Sequence, residues 1–140
     1  MQILNKRAKF DYEVIEKLEV GIELLGAEAR ALREGRGSLN NSYAKFIGDQ
    51  LYLVNASIQA QGPRGYEATR SRKLLLHKKE ARSLQGKMSQ QKLTLVPMKV
   101  YNTRNLFKLE LALAKSRKKY EKRELIKRRD LDRELERELK

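Results

Sequence analysis

The sequence predicts a small, mainly β barrel with two or three flanking helices, followed by a basic C-terminal tail. Several segments alternate apolar and polar residues, as half-buried strands do, and helical segments are too few to connect parallel strands. Beyond Ala114 the strand signals stop and charged residues dominate. A chain of 140 residues has the usual size of one compact domain. We therefore expect a barrel at residues 1–114 and a tail at residues 115–140.

The longest strand signal is a period of two over residues 12–24. Nearly every even position there is apolar and most odd positions are polar, which indicates one buried face. The segment exceeds the usual length of a strand, so we expect a bend near Gly21. Two short apolar segments around Gly48-Asp49 predict a hairpin. These two hairpin segments are Tyr43–Ile47 and Leu51–Val54. The further predicted strands are Leu93–Tyr101 and Leu106–Leu113, with Pro97 marking an edge or a bulge.

Two segments have helical composition. Residues 27–34 are rich in Ala, Leu, Glu and Arg and stop at Gly35, a residue type that commonly caps helices. Residues 74–84 predict a second helix, which ends before Gln85-Gly86, and residues 61–65 predict a loop. Five or six strands with so few helices exclude a doubly wound sheet. An OB-like barrel, in which helices plug the openings, fits this order best, and such barrels commonly bind oligonucleotides.

The chain carries a formal net charge of +14, which is information about partners rather than about fold. A polyanion is the obvious partner, either a nucleic acid or an anionic membrane. No apolar run approaches the ~20 residues of a membrane span, and the N-terminus has no apolar secretory segment. There is no cysteine. We therefore expect a cytoplasmic protein with a nucleic-acid partner, no membrane partner and no small-molecule substrate.

Residues suited to catalysis are scarce. His77 is the only histidine and cysteine is absent, so neither a nucleophilic triad nor a histidine-based metal site can be assembled. No glycine-rich phosphate loop is present. We expect no cofactor, no metal and no enzymatic activity. The simplest interpretation of His77 is a histidine at a helix edge, and the alternative is a small ribonuclease that uses it as a general acid or base.

Basic residues recur in clusters beside predicted turns and helix ends. Such clusters suit phosphate contacts, because cations there displace counterions condensed on the nucleic acid, although a charge cluster is often only a solvated face. Tyrosines on the predicted strands could stack on bases or fill the edge of the core. The clusters are Lys6-Arg7 with Lys9, Arg70-Ser71-Arg72-Lys73, and Lys78-Lys79, and the tyrosines are Tyr12, Tyr43, Tyr52 and Tyr101.

The tail has 12 basic and 7 acidic residues over positions 115–140, and basic residues recur there every four positions. On a helix these rows would form basic stripes. Leu131, Leu135 and Leu139 give only a narrow apolar line. We therefore expect the tail to be disordered in the free protein and helical when bound to RNA, with a solvated helix or a short coiled coil as alternatives. The rows are Lys115, Lys119, Arg123 and Lys127, and Arg129, Arg133 and Arg137.

A series of short motifs resembles one family over essentially the whole chain. The most specific is residues 70–80, Arg-Ser-Arg-Lys-Leu-Leu-Leu-His-Lys-Lys-Glu. The chain opens with Asn5-Lys6-Arg7-Ala8, and its tail contains Tyr120-Glu121-Lys122-Arg123-Glu124, where the family has Asp in place of Glu121. The other matching segments, in family order, are residues 11–12, 19–22, 26–33, 41–44, 93–97 and 110–115. With these motifs the sequence resembles the SsrA-binding proteins, also called SmpB.

The resemblance implies an OB-like barrel that binds the tRNA-like domain of transfer-messenger RNA and delivers it to stalled ribosomes for trans-translation. It also implies that the tail occupies the decoding site and the empty mRNA channel, beside small-subunit RNA. The positions that match RNA-binding positions of the family are Asn5, Glu19 and Leu75, and the basic clusters add Lys6, Arg7, Arg70, Arg72, Lys73 and Lys78. The tail residues expected at the decoding site are Tyr120, Glu121, Lys122, Arg123, Lys127, Arg129, Arg133 and Arg137.

Besides Glu121, three positions depart from the family pattern. Ala27 replaces a Thr or a bulky residue, and Ala68 replaces a common Pro, which predicts a looser loop at residues 61–69. Ser116 replaces a common Gly and puts in doubt the hinge into the tail. The main alternative function is that of an OB-fold ribosomal protein or initiation factor that binds ribosomal RNA.

Overall fold

The computed structural model describes residues 2–104, 106–117 and 119–139, without the side chains of residues 119–122, 136, 138 and 139. Within these ranges the chain forms nine strands and four helices. The strands are β1 (Gln2–Leu4), β2 (Tyr12–Ile22), β3 (Gly37–Ser38), β4 (Tyr43–Ile47), β5 (Gln50–Val54), β6 (Ser57–Ile58), β7 (Arg72–Leu75), β8 (Thr94–Thr103) and β9 (Leu106–Ser116). The helices are α1 (Ala8–Asp11), α2 (Gly26–Arg33), α3 (Lys78–Gln90) and α4 (Lys119–Leu139).

Six antiparallel strands close into a barrel in the order β8-β4-β5-β7-β2-β9, because β9 also pairs with β8. The remaining strand of this sheet, β1, pairs with the same edge of β8 as β4 does. β4 pairs with β8 at Leu95, and β1 pairs with it further along, at Lys99, Val100 and Tyr101. A separate two-stranded sheet joins β3 and β6. The prediction of a mainly β, OB-like barrel is confirmed.

Alternate residues of the long strands fill the barrel. On β9, Leu109, Leu111 and Leu113 are buried, and their partners across the sheet include Val20 on β2 and Leu95 on β8. Burying one leucine side chain stabilises a fold by roughly 2 kcal/mol, so this row is a major part of the core. Two helices contribute to the same core through Ala31 and Leu32 of α2 and Leu84 of α3.

Several predicted elements are confirmed nearly to the residue. Helix α2 ends at Arg33, and Gly35 has a φ of +76°, the left-handed conformation in which glycine ends helices. The hairpin of β4 and β5 turns at Gly48, whose φ is +63°. Pro97 lies at a bulge, because the register between β8 and β9 shifts between Pro97 and Lys99.

The helix predicted at residues 74–84 is wrong in its first part. Residues Arg72–Leu75 form strand β7, and helix α3 begins at Lys78 and continues through Gly86. The strand forms because Arg72 and Leu74 point inward while Leu75 points outward, an alternation that lets β7 pair with β5 and β2. Leucines at both kinds of position hide this alternation in the sequence.

The bend expected near Gly21 lies elsewhere. Strand β2 pairs with β9 from Tyr12 to Gly21, and its register shifts between Val14 and Glu16. Ile15 has no partner on β9 at this bulge, and both Ile15 and Glu16 are exposed. Gly21 continues the regular ladder and instead allows a close approach of β7, described below.

Most of the tail forms the 21-residue helix α4, while its first two residues, Lys115 and Ser116, end strand β9. The helix contacts α1, where the Arg129 guanidinium lies 5.1 Å from the centre of the Phe10 ring, and Leu125 and Ile126 are half-buried. The prediction that the tail can form a helix is confirmed, and its disorder in the absence of RNA stays a prediction. Packing on α1 supplies part of the burial that the narrow leucine line lacks. At the end of β9, Arg117 donates hydrogen bonds from its backbone N–H to the Asp11 carbonyl (2.8 Å) and from Nε to the Tyr12 carbonyl (3.2 Å).

Candidate nucleic-acid interface

The outward sides of β2, β7, β9 and β8 form one continuous surface. Gly21 of β2 pairs with Leu75 of β7 and with Lys108 of β9, and Lys108 pairs in turn with Tyr101 of β8. Glu19 lies on the same side as Gly21, because strand residues two apart share a face. Leu75 is 47% exposed. We call this surface, defined by Glu19, Gly21, Leu75, Tyr101 and Lys108, the Glu19–Leu75 face.

Glu19 is held in place by its neighbours on this face. The Tyr101 hydroxyl donates a hydrogen bond to its carboxylate. Glu110 lies opposite Glu19 across β2 and β9, and two like charges in such a position repel. Three lysines balance them: Lys108 lies 3.6 Å from Glu19, and Lys17 and Lys99 each lie 3.7 Å from Glu110. A fixed carboxylate among cations can accept from a base amino group while the cations meet phosphates.

A groove of about 690 Å³ adjoins the Glu19–Leu75 face and is walled by residues of α2 and β7. One wall carries Arg33, whose guanidinium lies 5.6 Å from the centre of the Phe107 ring. Apolar walls with charges at the rim suit an unstacked base and its phosphate. The lining residues are Glu19, Gly21, Ile22, Leu24, Ala29, Arg33, Leu75, Leu76, His77, Glu80, Leu106, Phe107 and Lys108.

His77 occupies the helix-edge position that the sequence favoured. It is the residue before α3, with extended backbone, and it is exposed at the groove. Among the described residues, no group of three or more His, Cys, Asp or Glu side chains could hold a metal ion. Nor is any helix in the described ranges long and apolar enough to cross a membrane.

Two of the predicted lysines lie next to the groove. Lys73 and Lys78 line a cavity of about 370 Å³ that shares Leu75 and Leu76 with it. The structure therefore brings four predicted residues into one region: Glu19, Lys73, Leu75 and Lys78. Arg82 lines the same cavity and adds a cation that the sequence analysis did not single out.

The predicted N-terminal residues lie on a different surface. Asn5 and Arg7 line a cavity of about 480 Å³ that shares no lining residue with the groove. Asn5 is 9% exposed, and its Nδ2 donates to the Pro97 carbonyl at 2.9 Å, so it ties the end of β1 to the bulge of β8. Arg7 is well exposed and lies 3.7 Å from Asp11, and Lys6 is exposed. Of these three residues, Lys6 and Arg7 are exposed to solvent, whereas Asn5 is buried.

The prediction that Arg72 contacts RNA does not agree with the structure. Its side chain is fully buried, and its Nη2 lies 2.6 Å from Glu28 Oε2. Arg70 is one-third exposed and also donates to Glu28, from both Nε and Nη2. The cluster at residues 70–73 therefore divides, with the first and third residues turned inward and Lys73 turned outward. Arg72 and Lys73 point in opposite directions because they are neighbours in strand β7. Arg70 turns inward because it also bonds to Glu28.

Glu28 is a buried residue that the sequence analysis also did not single out. It is fully buried, although glutamate is seldom buried without partners. Burial raises the pKa of its carboxyl, but donors from Arg70, the Leu25 backbone N–H and Arg72 outweigh that effect and lower the pKa from 4.5 to about 2. A glutamate at the third position of a helix predicts a bond to the N-cap N–H, which Leu25 makes at 2.9 Å. The pairing of Glu28 with the two arginines had no signal in the sequence.

The predicted tail residues lie along α4. Arg123, Lys127, Arg129, Arg133 and Arg137 are exposed. The side chains of Tyr120, Glu121 and Lys122 lie outside the described residues. The exposed members of the rows keep the i, i+4 spacing that places them on common faces of the helix.

A family model described as SmpB protein matches residues 2–140. The chain belongs to the SmpB family. Among SmpB relatives, the SsrA-binding protein of Chlorobaculum tepidum is 46% identical over 138 residues, which cover 96% of this chain and 88% of that protein. The SsrA-binding protein of Sulfurihydrogenibium sp. is 45% identical over 139 residues, covering 97% and 91%. A solved SmpB structure, "tmRNA-SmpB: a journey to the center of the bacterial ribosome", matches with a TM-score of 0.68 and 43% identity over 84% of this chain and 85% of that one.

Proposed function

We propose that this chain binds the tRNA-like domain of transfer-messenger RNA and delivers it to stalled ribosomes for trans-translation, in the cytoplasm. The observation that carries the proposal is the SmpB family match over residues 2–140. The solved relative, whose name places SmpB with transfer-messenger RNA at the ribosome, supports it. The net charge of +14 supplies the attraction to a polyanion.

The Glu19–Leu75 face and its groove are the proposed RNA site. Leu75 offers an exposed apolar contact to a base, and Glu19, fixed by Tyr101, accepts from a base amino group. The surrounding cations are placed for phosphates; they are Arg33, Lys73, Lys78 and Lys108. Lys6 and Arg7 form a second contact with the same RNA or with the ribosome. Binding, rather than catalysis, is the role proposed for His77 as well.

We propose that the barrel and the tail have separate functions. The barrel, residues 1–114, holds the RNA. The tail, residues 115–140, enters the decoding site and the empty mRNA channel, where exposed basic rows of α4 meet ribosomal phosphates. The residues proposed at that site remain Tyr120, Glu121, Lys122, Arg123, Lys127, Arg129, Arg133 and Arg137.

Glu19→Arg and Glu13→Arg make a matched test of the RNA site. Both change the charge by the same amount at exposed positions of β2, but only Glu19 lies on the Glu19–Leu75 face. We expect Glu19→Arg to weaken the binding of transfer-messenger RNA and Glu13→Arg to leave it nearly unchanged, with both variants folded by circular dichroism. Equal affinities for the two variants would place the RNA elsewhere.

Sequencing the RNA that co-purifies with the chain tests the identity of the partner. Transfer-messenger RNA should be enriched over ribosomal RNA, and its affinity should fall steeply with salt, with a slope of about 0.7–0.9 for each phosphate contacted. Enrichment of ribosomal RNA alone would support the alternative of a ribosomal protein or initiation factor.

A further inference from the structure

The Glu28 carboxylate is the centre of a buried polar cluster. Its Oε2 receives hydrogen bonds from Arg72 Nε (2.8 Å), Arg72 Nη2 (2.6 Å) and Arg70 Nε (3.1 Å). Its Oε1 receives the second donor of Arg70 and the Leu25 backbone N–H. The Tyr66 hydroxyl lies 3.0 Å from Oε2. Every acceptor position of this carboxylate is therefore in use, and its direction is fixed.

The same cluster reaches several parts of the chain. Arg72 donates from Nη1 to the Ala56 carbonyl (2.5 Å) and from Nη2 to the Ala68 carbonyl (2.8 Å). The Tyr66 hydroxyl also lies 2.9 Å from the Ile58 carbonyl, and it can donate its one proton either there or to Glu28. Helix α2, strand β6, the loop of residues 59–71 and the start of β7 are thereby joined at one point.

Two of these elements are the walls of the groove beside the Glu19–Leu75 face. Helix α2 contributes Ala29 and Arg33, which follow Glu28, and β7 contributes Leu75, three residues after Arg72. Since Glu28 and Arg72 join the two walls directly, their contact sets the separation between Arg33 and Leu75. We infer that Glu28 is a positioning residue for RNA binding, which fixes the groove width without touching RNA. This inference rests on the proposed function.

A buried ion pair of this kind is poorly explained by stability alone. Removing two charges from water costs about as much as their attraction returns, so apolar residues of the same volume are often as stable. Apolar contacts are non-directional, whereas a carboxylate between two guanidinium groups has one geometry. Arg70 and Arg72 of the 70–73 segment thus orient Glu28 and its neighbours instead of contacting phosphates.

Glu28→Gln and Glu34→Gln test this role. Both replace a glutamate that pairs with arginine by its neutral isostere at α2 or its C-cap, but the Glu34–Arg36 pair is exposed at the surface. We expect Glu28→Gln to raise the Kd for transfer-messenger RNA about tenfold, the equivalent of one charge-assisted hydrogen bond. We expect Glu34→Gln to leave it unchanged.

Tyr66→Phe provides a milder variant should Glu28→Gln fail to fold, since it removes only a hydroxyl from a half-buried ring. Each variant is combined with Leu75→Ala in a double-mutant cycle. If the cluster acts by placing Leu75, then its variants should weaken binding in the wild-type background and have little further effect once Leu75 is truncated. A general loss of folded protein would instead weaken both backgrounds alike.

The outcomes separate this inference from the proposed function. The positioning role is overturned if both Tyr66→Phe and folded Glu28→Gln bind with wild-type affinity. It is also overturned if the loss of binding free energy in each variant adds fully to the loss caused by Leu75→Ala. If Glu28→Gln does not fold, the Tyr66→Phe cycle decides alone. Failure of the wild-type chain to bind transfer-messenger RNA overturns the proposed function and this inference together. If Glu19→Arg weakens RNA binding as expected but the Glu28 and Tyr66 variants do not, only this inference is overturned.

Discussion

The Leu75 side chain lies directly over Gly21: a Cβ at position 21 would be 3.3 Å from the Leu75 Cβ and 3.5 Å from its Cδ1. The backbone of Gly21 is not left-handed, so the absence of a side chain is what matters there. The glycine lets β7 hold Leu75 close to β2, beside Glu19, on the surface proposed to bind RNA.

Gly21→Ala should therefore weaken RNA binding by a few-fold with little loss of stability. The added methyl group must push Leu75 away by a few tenths of an ångström, while alanine itself is more favourable than glycine in a strand. Affinity for transfer-messenger RNA and the thermal unfolding midpoint measure the two effects. Gly26→Ala is the control, because nothing lies within 4 Å of a Cβ there. Unchanged affinity in Gly21→Ala would show that Leu75 can move without consequence.

The unfolding free energy should fall in acid because of Glu28. Its pKa is about 2 in the folded chain and 4.5 ordinarily, so the unfolded chain takes up the proton first as pH drops. The stabilisation is complete above about pH 5 and is lost as pH falls toward 2, and it amounts to about 3 kcal/mol at 1.36 kcal/mol for each pKa unit. Carbon-13 NMR of the Glu28 carboxyl should give a midpoint near 2. A midpoint near 4.5 would mean that the arginine contacts are weak in solution.

Gly86→Ala should stabilise the chain by about 0.5–1 kcal/mol, as alanine does inside exposed helices. Gly86 lies within α3 and is exposed, and a methyl group added to its Cα would meet no atom within 4 Å. Gly35→Ala should do the opposite, because its φ of +76° strains any residue with a side chain. Chemical denaturation of both variants tests this pair, and destabilisation by Gly86→Ala would argue against a continuous α3.

Deleting residues 118–140 should leave transfer-messenger RNA binding nearly intact and abolish tagging on stalled ribosomes. The cut spares Arg117, whose hydrogen bonds belong to the barrel. Binding assays measure the affinity for transfer-messenger RNA, and an in vitro tagging assay measures the activity on stalled ribosomes. Replacing Arg129, Arg133 and Arg137 by Gln is the finer variant, since it keeps the helix and removes one basic row. A truncated chain that still tags would refute the role of the tail.

The sequence predicts the barrel well because most of its long strands alternate clearly between apolar and polar residues. In β2 and β9, strongly apolar and strongly polar side chains alternate, as in Leu109, Glu110 and Leu111. β7 does not: Leu74 and Leu75 are both leucine, although one is buried and the other exposed. Only pairing with β5 and β2 decides between strand and helix there, and that information lies in distant parts of the chain.

The candidate site is predicted only in part for the same reason. Glu19 and Leu75 follow from the family resemblance, and their meeting on one face follows from the pairing of Gly21 with Leu75. The prediction for Arg72 rests on charge alone, and charge does not say which way a side chain points. Its burial depends on Glu28, 44 residues away in the sequence. A long-range ion pair of this kind leaves no local pattern.

The hydrogen bonds of Arg117 have a mechanical consequence. Helix α4 has 21 residues and, at 1.5 Å per residue, is about 32 Å long. A rotation of about 10° at the base of such a rod moves its tip by roughly 5 Å, about the pitch of one helical turn. Arg117 is bonded to the Asp11 and Tyr12 carbonyls only two residues before α4 begins. The two hydrogen bonds of Arg117 therefore help to fix the direction of α4 at its base, together with the packing of α4 on α1, and a small rotation there becomes a large displacement at the far end of the helix.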